Sequence, residues 1–250
     1  MKLLPSRKMS TLLVGLLTAG GIASAGAAEH NGGGASESAA QQASDHGHDH
    51  DHDHDHDHDH DHDHDHAHNH EHDSDIHAGY FDDDQVRERS LADWAGAWQS
   101  VYPYLENGTL DEVMAHKARH GDKTAAEYRT YYEQGYRTDV RRIVIEGSRV
   151  TFFDGGEVHT AEYADDGHEI LTYEAGNRGV RYIFERIAGD AAAPGFIQFS
   201  DHAIAPTDAE HYHLYMGDDR AALLEEVTHW PTYYPAELNG HEIAEEMKAH

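Results

Sequence analysis

Past Thr138 the apolar positions of the chain recur with a period of two, in short runs that alternate with turn clusters. The runs are Asp139 to Glu146, Arg149 to Phe153, Val158 to Tyr163, Glu169 to Glu174, Val180 to Arg186, Phe196 to Ile204 and His211 to Met216. Between them lie Gly147-Ser148, Asp154-Gly155-Gly156, Asp165-Asp166-Gly167, Gly176-Asn177-Arg178-Gly179 and Gly189-Asp190, the residue types that tight hairpins require. Strands this short and evenly spaced predict an antiparallel barrel, which removes vulnerable edges; a β-sandwich is the alternative.

Ahead of the strands the period lengthens to that of a helix. Leu110 to Arg119 carries Asp111 and Glu112 early and Lys117 and Arg119 late, matching the helix dipole, and Gly121 follows near its end. In Thr124 to Gly135, Thr124 has the spacing to cap with Glu127. After the strands, Asp218 or Asp219 opens a helix over Ala221 to Thr228, WPTYYP (Trp230 to Pro235) makes a rigid aromatic crossing, and Gly240 precedes a polar helix to His250. The expected fold is therefore mainly β with helices: an antiparallel barrel with flanking helices. Gly96-Ala97-Trp98, at the start of this β-rich region, resembles the first strand of lipocalin-type barrels.

None of this patterning reaches the first 75 residues. Lys2, Arg7 and Lys8 precede a mostly apolar stretch, Thr11 to Ile22, and small residues at Ala23-Ser24-Ala25 or Ala25-Gly26-Ala27 offer cleavage. Residues 1–27 thus read as a signal peptide, and the expected product is a periplasmic protein with no membrane anchor. Asn31 to Ser44 is a small-residue linker, so residues 28–75 form linker and tail, and 76–250 the folded domain.

The tail changes the meaning of the composition. The formal charge of −30 comes from 48 acidic and only 18 basic residues, and Asp45 to Asp75 holds 13 of the acids with no lysine or arginine. Such a surface does not attract nucleic acid. Its histidines, His46, His48, His50, His52, His54, His56, His58, His60, His62, His64, His66, His68, His70 and His72, alternate with those acids almost without a break. In an extended chain successive imidazoles lie about 6–7 Å apart, close enough for flexible neighbours to share an ion. Many equivalent sites predict high capacity with low affinity and poor selectivity, with copper(II) held more tightly than zinc.

A sharper site is expected in IQFSDHAIAPTDAEHYHLYMGDD, Ile197 to Asp219. On a strand, His211 and His213 leave the same face. If Ala205 to Glu210 is the whole connection, Ile204 pairs with His211, and His202 falls opposite His213, so the three rings converge. Three neutral imidazoles suit zinc and leave a fourth position open. The chain has no cysteine, which turns the preference away from copper(I) and towards nitrogen and oxygen binders such as zinc. His116, His120, His168, His229, His241 and His250 read as solvated side chains, and His159 as ambiguous.

Taken in order, DDDQVRERSLADWAGAWQSVYPYL, YYEQGYRTDV, ILTYEAGNRGVRYIFE, IQFSDHAIAP, HYHLYMGDD and WPTYYP resemble the ZinT family of periplasmic zinc-binding proteins, from about Phe81 to the C-terminus. The resemblance narrows the expected fold to an antiparallel calycin (lipocalin-like) barrel with flanking helices and implies a metal at one barrel mouth, held by His202, His211 and His213. It further implies capture of scarce zinc and delivery to the solute-binding protein of a zinc ABC importer. Relatives carry a cysteine pair, whose places fall near Ala161 and Arg186, and their His-rich segments are shorter. Buffering of Cd2+, Ni2+ or Cu2+ is one alternative. A three-His zinc hydrolase or hydratase is another, although no HExxH or GxSxG supports an enzyme, and a lipocalin-like carrier of a small apolar ligand is a third.

Overall fold

A computed structural model describes residues 75–249. The leader, the linker, the tail histidines His46 to His72 and the terminal His250 lie outside the described residues. Eight strands form a closed barrel in simple chain order: β1 (Gly96–Ser100), β2 (Val140–Glu146), β3 (Arg149–Asp154), β4 (Glu157–Thr172), β5 (Arg178–Gly189), β6 (Phe196–Ser200), β7 (Tyr212–Gly217) and β8 (Thr232–Pro235). Each pairs antiparallel with the next, and β8 closes on β1 through Trp98 with Pro235 and Ser100 with Tyr233. Helices α1 (Tyr102–Glu106), α2 (Asp111–His120) and α3 (Ala125–Tyr136) lie between β1 and β2, α4 (Arg220–Glu225) between β7 and β8, and α5 (Gly240–Ala249) after β8.

Caps fix the helix starts. The Thr124 hydroxyl accepts from Glu127 N, and Glu127 accepts in return from Thr124 N at 2.8 Å, the reciprocal arrangement its spacing predicts. Of the two aspartates offered for α4, Asp219 takes the cap, accepting from Ala221 N and Ala222 N at 3.0 and 3.1 Å. Asp218 instead accepts from Gly195 N at 2.9 Å.

Apolar burial falls into two layers. Trp98, Ile143, Phe152, Tyr182, Phe199, Tyr212, Leu214 and Tyr233 fill the barrel, and Trp94 plugs it, stacked 4.6 Å from Phe199. On the outer side of the wall, Tyr234 packs with Leu105, Val113, Met114, Tyr136, Ile243 and Met247 beneath the helices.

Two stretches expected as turn or crossing prove to be strand. Asp165-Asp166-Gly167 is a bulge, not a turn: β4 is one strand of 16 residues whose register against β5 shifts between Asp165 and His168, with Gly167 at φ 79°. WPTYYP is no mere crossing, since its Thr232–Pro235 is the strand that closes the barrel.

Candidate metal centre

The β7 strand alternates between the two layers. Tyr212 and Leu214 are fully buried in the barrel core, so His213 and the preceding His211 leave the wall on its outer side. The cluster therefore lies against the outside of the wall at the end of β7, where the resemblance implied a barrel mouth. The β6–β7 ladder runs from Phe196 with Gly217 to Ser200 with His213, two residues away from the register that would set His202 opposite His213. An even shift keeps each face, but His202 is not on a strand at all. β6 stops at Ser200, and His202 turns through the left-handed region at φ 67°.

Asp201 explains that break. Its carboxylate accepts from Arg89 Nη1 at 2.6 Å, from Trp94 Nε1 at 3.0 Å and from Ala203 N at 3.3 Å. Arg89, whose side chain is completely buried, also donates to Asp93 at 2.8 Å and to the Thr207 carbonyl at 2.9 Å, and lies over the Trp94 ring. Burial opposes the Arg89 charge, but the two carboxylates outweigh it and hold the guanidinium above its ordinary pKa. Ala209 N donates to Asp93 O at 2.8 Å, so the 201–211 loop is stitched along its length to the segment that carries Trp94.

The three rings meet as a nearly equilateral triangle. Centroids of His202, His211 and His213 are 6.0, 5.9 and 6.0 Å apart, and one nitrogen from each lies within 4.8 Å of the others. A tetrahedral zinc with bonds of about 2.0–2.1 Å needs nitrogens about 3.3 Å apart, so the rings have to close by at most about 1.5 Å. His211 lies flat against Tyr234, at 5.1 Å and 11°.

His213 is oriented from behind. Its Nδ1 is 2.8 Å from the Thr232 hydroxyl, which itself donates to the Trp230 carbonyl at 3.0 Å. With its one proton spent, Thr232 Oγ1 must accept from His213 Nδ1–H, which leaves Nε2 with the lone pair for an ion. Burial, then the neighbouring His202 and His211, push the His213 pKa well below its ordinary value, so the ring is neutral at physiological pH.

Other histidines are placed away from this group. His168 lies 3.2 Å from Glu88 and His159 3.4 Å from Glu157; His229 Nε2 contacts the Arg137 carbonyl, and the His116 and His120 rings are neighbours on α2. His241 gathers with Glu112 and Glu245, but Lys248 reaches both carboxylates, at 3.3 and 2.5 Å, and competes with any cation for them. Sequence reasoning missed Arg89, Trp94 and Thr232 as supports. It also missed His77, whose ring stacks on His202 at 4.5 Å and 22°. Read along the chain, His77 looks like one more residue at the end of the acidic tract, and nothing sets it apart.

The chain is similar to known zinc-binding proteins. A family model described as ZinT (YodA) periplasmic lipocalin-like zinc-recruitment matches residues 72–250. The probable metal-binding protein YrpE of Bacillus subtilis (strain 168) is 60% identical over 176 residues, covering 70% of each chain. Zinc-binding protein AdcA of Streptococcus pyogenes serotype M1 is 53% identical over 180 residues, 70% of this chain but 35% of AdcA, so the chain spans about a third of that relative's length. Among solved structures, the Zn(II)-bound ZinT-like domain of Streptococcus pneumoniae AdcA superposes with a TM-score of 0.67 at 49% identity, covering 69% of this chain and 97% of that domain.

Proposed function

The chain belongs to the ZinT family of periplasmic lipocalin-like zinc-recruitment proteins, and from that premise we propose that it captures scarce zinc through His202, His211 and His213 and passes it to the solute-binding protein of a zinc ABC importer. The convergence of the three imidazoles, one oriented by Thr232 and one carried on a turn pinned by Asp201, is the observation that carries this reading. Neutral nitrogen ligands from a pre-shaped wall bind without a large ordering cost, and a fourth position gives an incoming ligand somewhere to attach before any histidine lets go. Zinc is cargo in this account and not the centre of a reaction. The zinc-binding name of AdcA, in which a matching domain makes up about a third of the length, supports a role in supplying zinc.

The alternating tract His46 to His72 is a high-capacity, low-affinity store on the same chain, and the signal-like pattern of residues 1–27 supports a periplasmic location for both. Zinc titration of the full chain against a competing chelator tests the assignment. Replacing His202, His211 and His213 together with alanine is expected to abolish the tight class and leave the weak one. Tight binding of unchanged stoichiometry would reject these ligands. In a competition titration the tight class should prefer zinc to cadmium and nickel, as a tetrahedral nitrogen site does.

A further inference from the structure

Resting on the zinc reading of His202, His211 and His213, we propose that His77 is the exchangeable fourth protein ligand of that site. Its imidazole is exposed to solvent and is already in contact with the triad, its centroid 4.5 Å from that of His202. At 22° the two planes are close to parallel. A ring nitrogen offers its lone pair in the plane of the ring, so two stacked rings cannot both aim at one ion. His77 therefore has to tilt out of the stack to ligate, and it returns to the stack when displaced. That gives a ligand with two positions, one closing the zinc site and one opening it.

The backbone under His77 is firmly placed. Gly79 N donates to Ile76 O at 2.9 Å and Tyr80 N to Asp75 O at 2.8 Å, closing a turn around His77, and Arg178 N donates to Gly79 O at 2.9 Å. Gly79 has φ 86°, and a Cβ there would meet Arg178 O at 2.5 Å, so only glycine lets this turn lie on the start of β5. Arg178 adds a bond to the Phe81 carbonyl at 2.7 Å and an ion pair with Asp83. The imidazole is therefore presented by a fixed turn, and only its side chain needs to move.

Sequence gives the position a second meaning. His72 precedes His77 by five residues, so the Cα of the last histidine of the tract cannot be more than about 18 Å from that of His77. Ions concentrated by the tract are then never far from the side chain that closes the triad.

Cobalt(II) tests the proposal, and the absence of cysteine keeps its visible spectrum free of thiolate bands. The full-length chain, with the tract histidines His46 to His72 replaced by asparagine, is loaded with one equivalent of cobalt and titrated from pH 7 to 9.5. With His77 present the spectrum should stay constant, because a fourth imidazole excludes a bound water. His77→Phe, which keeps a stacking ring without a nitrogen, and His77→Ala should both acquire an alkaline transition, since metal-bound water ionises between about pH 7 and 9. Both should also release zinc to a chelator about tenfold faster or more. A His77→Phe spectrum and release rate equal to those of the parent would overturn the proposal, as would a defect in His77→Ala alone, which would make His77 a prop for His202. An alkaline transition in the parent itself would overturn it equally. Tight zinc surviving in the His202, His211 and His213 triple alanine chain would instead sink the underlying site.

Discussion

Asp201→Ala should weaken both the fold and the metal site, and the structure sets the size of each effect. Arg89 would keep Asp93 and the Thr207 carbonyl, so its charge is not stranded. It loses one charge-assisted hydrogen bond, worth about 1.5–3 kcal/mol, while the buried Trp94 N–H loses its acceptor at about 1–3 kcal/mol. Together these span about 2.5–6 kcal/mol, centred on the usual cost of about 3–5 kcal/mol for deleting one member of a buried ion pair, which we take as the loss. Against this, His202 is released from its left-handed backbone, which returns about 1–2 kcal/mol, so the metal-free protein should lose about 1–4 kcal/mol net. Zinc must then restore that backbone itself, and the same 1–2 kcal/mol reappears as about 5–30-fold weaker binding. Asp201→Asn keeps Oδ1 for Arg89 and Ala203 N but turns an amide NH2 towards Trp94 Nε1, and should fall between the parent and the alanine variant. Urea denaturation of the metal-free chain and chelator competition for zinc read the two effects separately. An unchanged urea midpoint with unchanged zinc affinity in Asp201→Ala would refute the reasoning.

Three further outcomes are expected. His213 has a folded pKa below its unfolded value of about 6.5, so the unfolded chain takes up the proton first; the contribution to stability is complete above about pH 6.5 and declines below it, by at most about 1.4 kcal/mol per pH unit. His213→Gln should flatten that decline in urea midpoints from pH 7 to 5, and parallel curves for the two proteins would contradict it. Thr232→Val removes the acceptor that fixes the His213 tautomer and should cost about 10–100-fold in zinc affinity with the barrel intact, measured by competition and circular dichroism. A peptide spanning Asp45 to His72 should lose zinc steeply below about pH 6, as its imidazoles protonate; equal uptake at acid and neutral pH would oppose this.

Most of the barrel was legible because its strands face core on one side and solvent or a thin helical cover on the other, which leaves a period of two. β8 escaped because both its faces are covered: Tyr233 points into the barrel and Thr232 and Tyr234 into the layer outside, so no alternation survives, and flanking prolines suggest a loop. The bulge in β4 hid for another reason, since Asp-Asp-Gly serves a turn and a bulge equally well and only the continuous partner β5 decides between them. For the metal centre, period two put His211 and His213 on one face, as found. The path of His202 could not be read, because Asp201 is drawn off the ladder by Arg89, a partner 112 residues earlier in the chain. Thr232 and His77 are further contacts that only tertiary structure creates.

Closure of the barrel ties the cargo site to the completion of folding. Gln99 of β1 bonds the Pro235 carbonyl of β8 across 136 residues of chain, and Thr232, at the other end of that same closing strand, sets the ring of His213. Contacts of such long sequence separation form late. A nascent chain still missing its final strand thus lacks a correctly aimed His213, so premature metal loading on a half-finished domain is disfavoured, and firm retention of an ion reports that the last seam has been sewn.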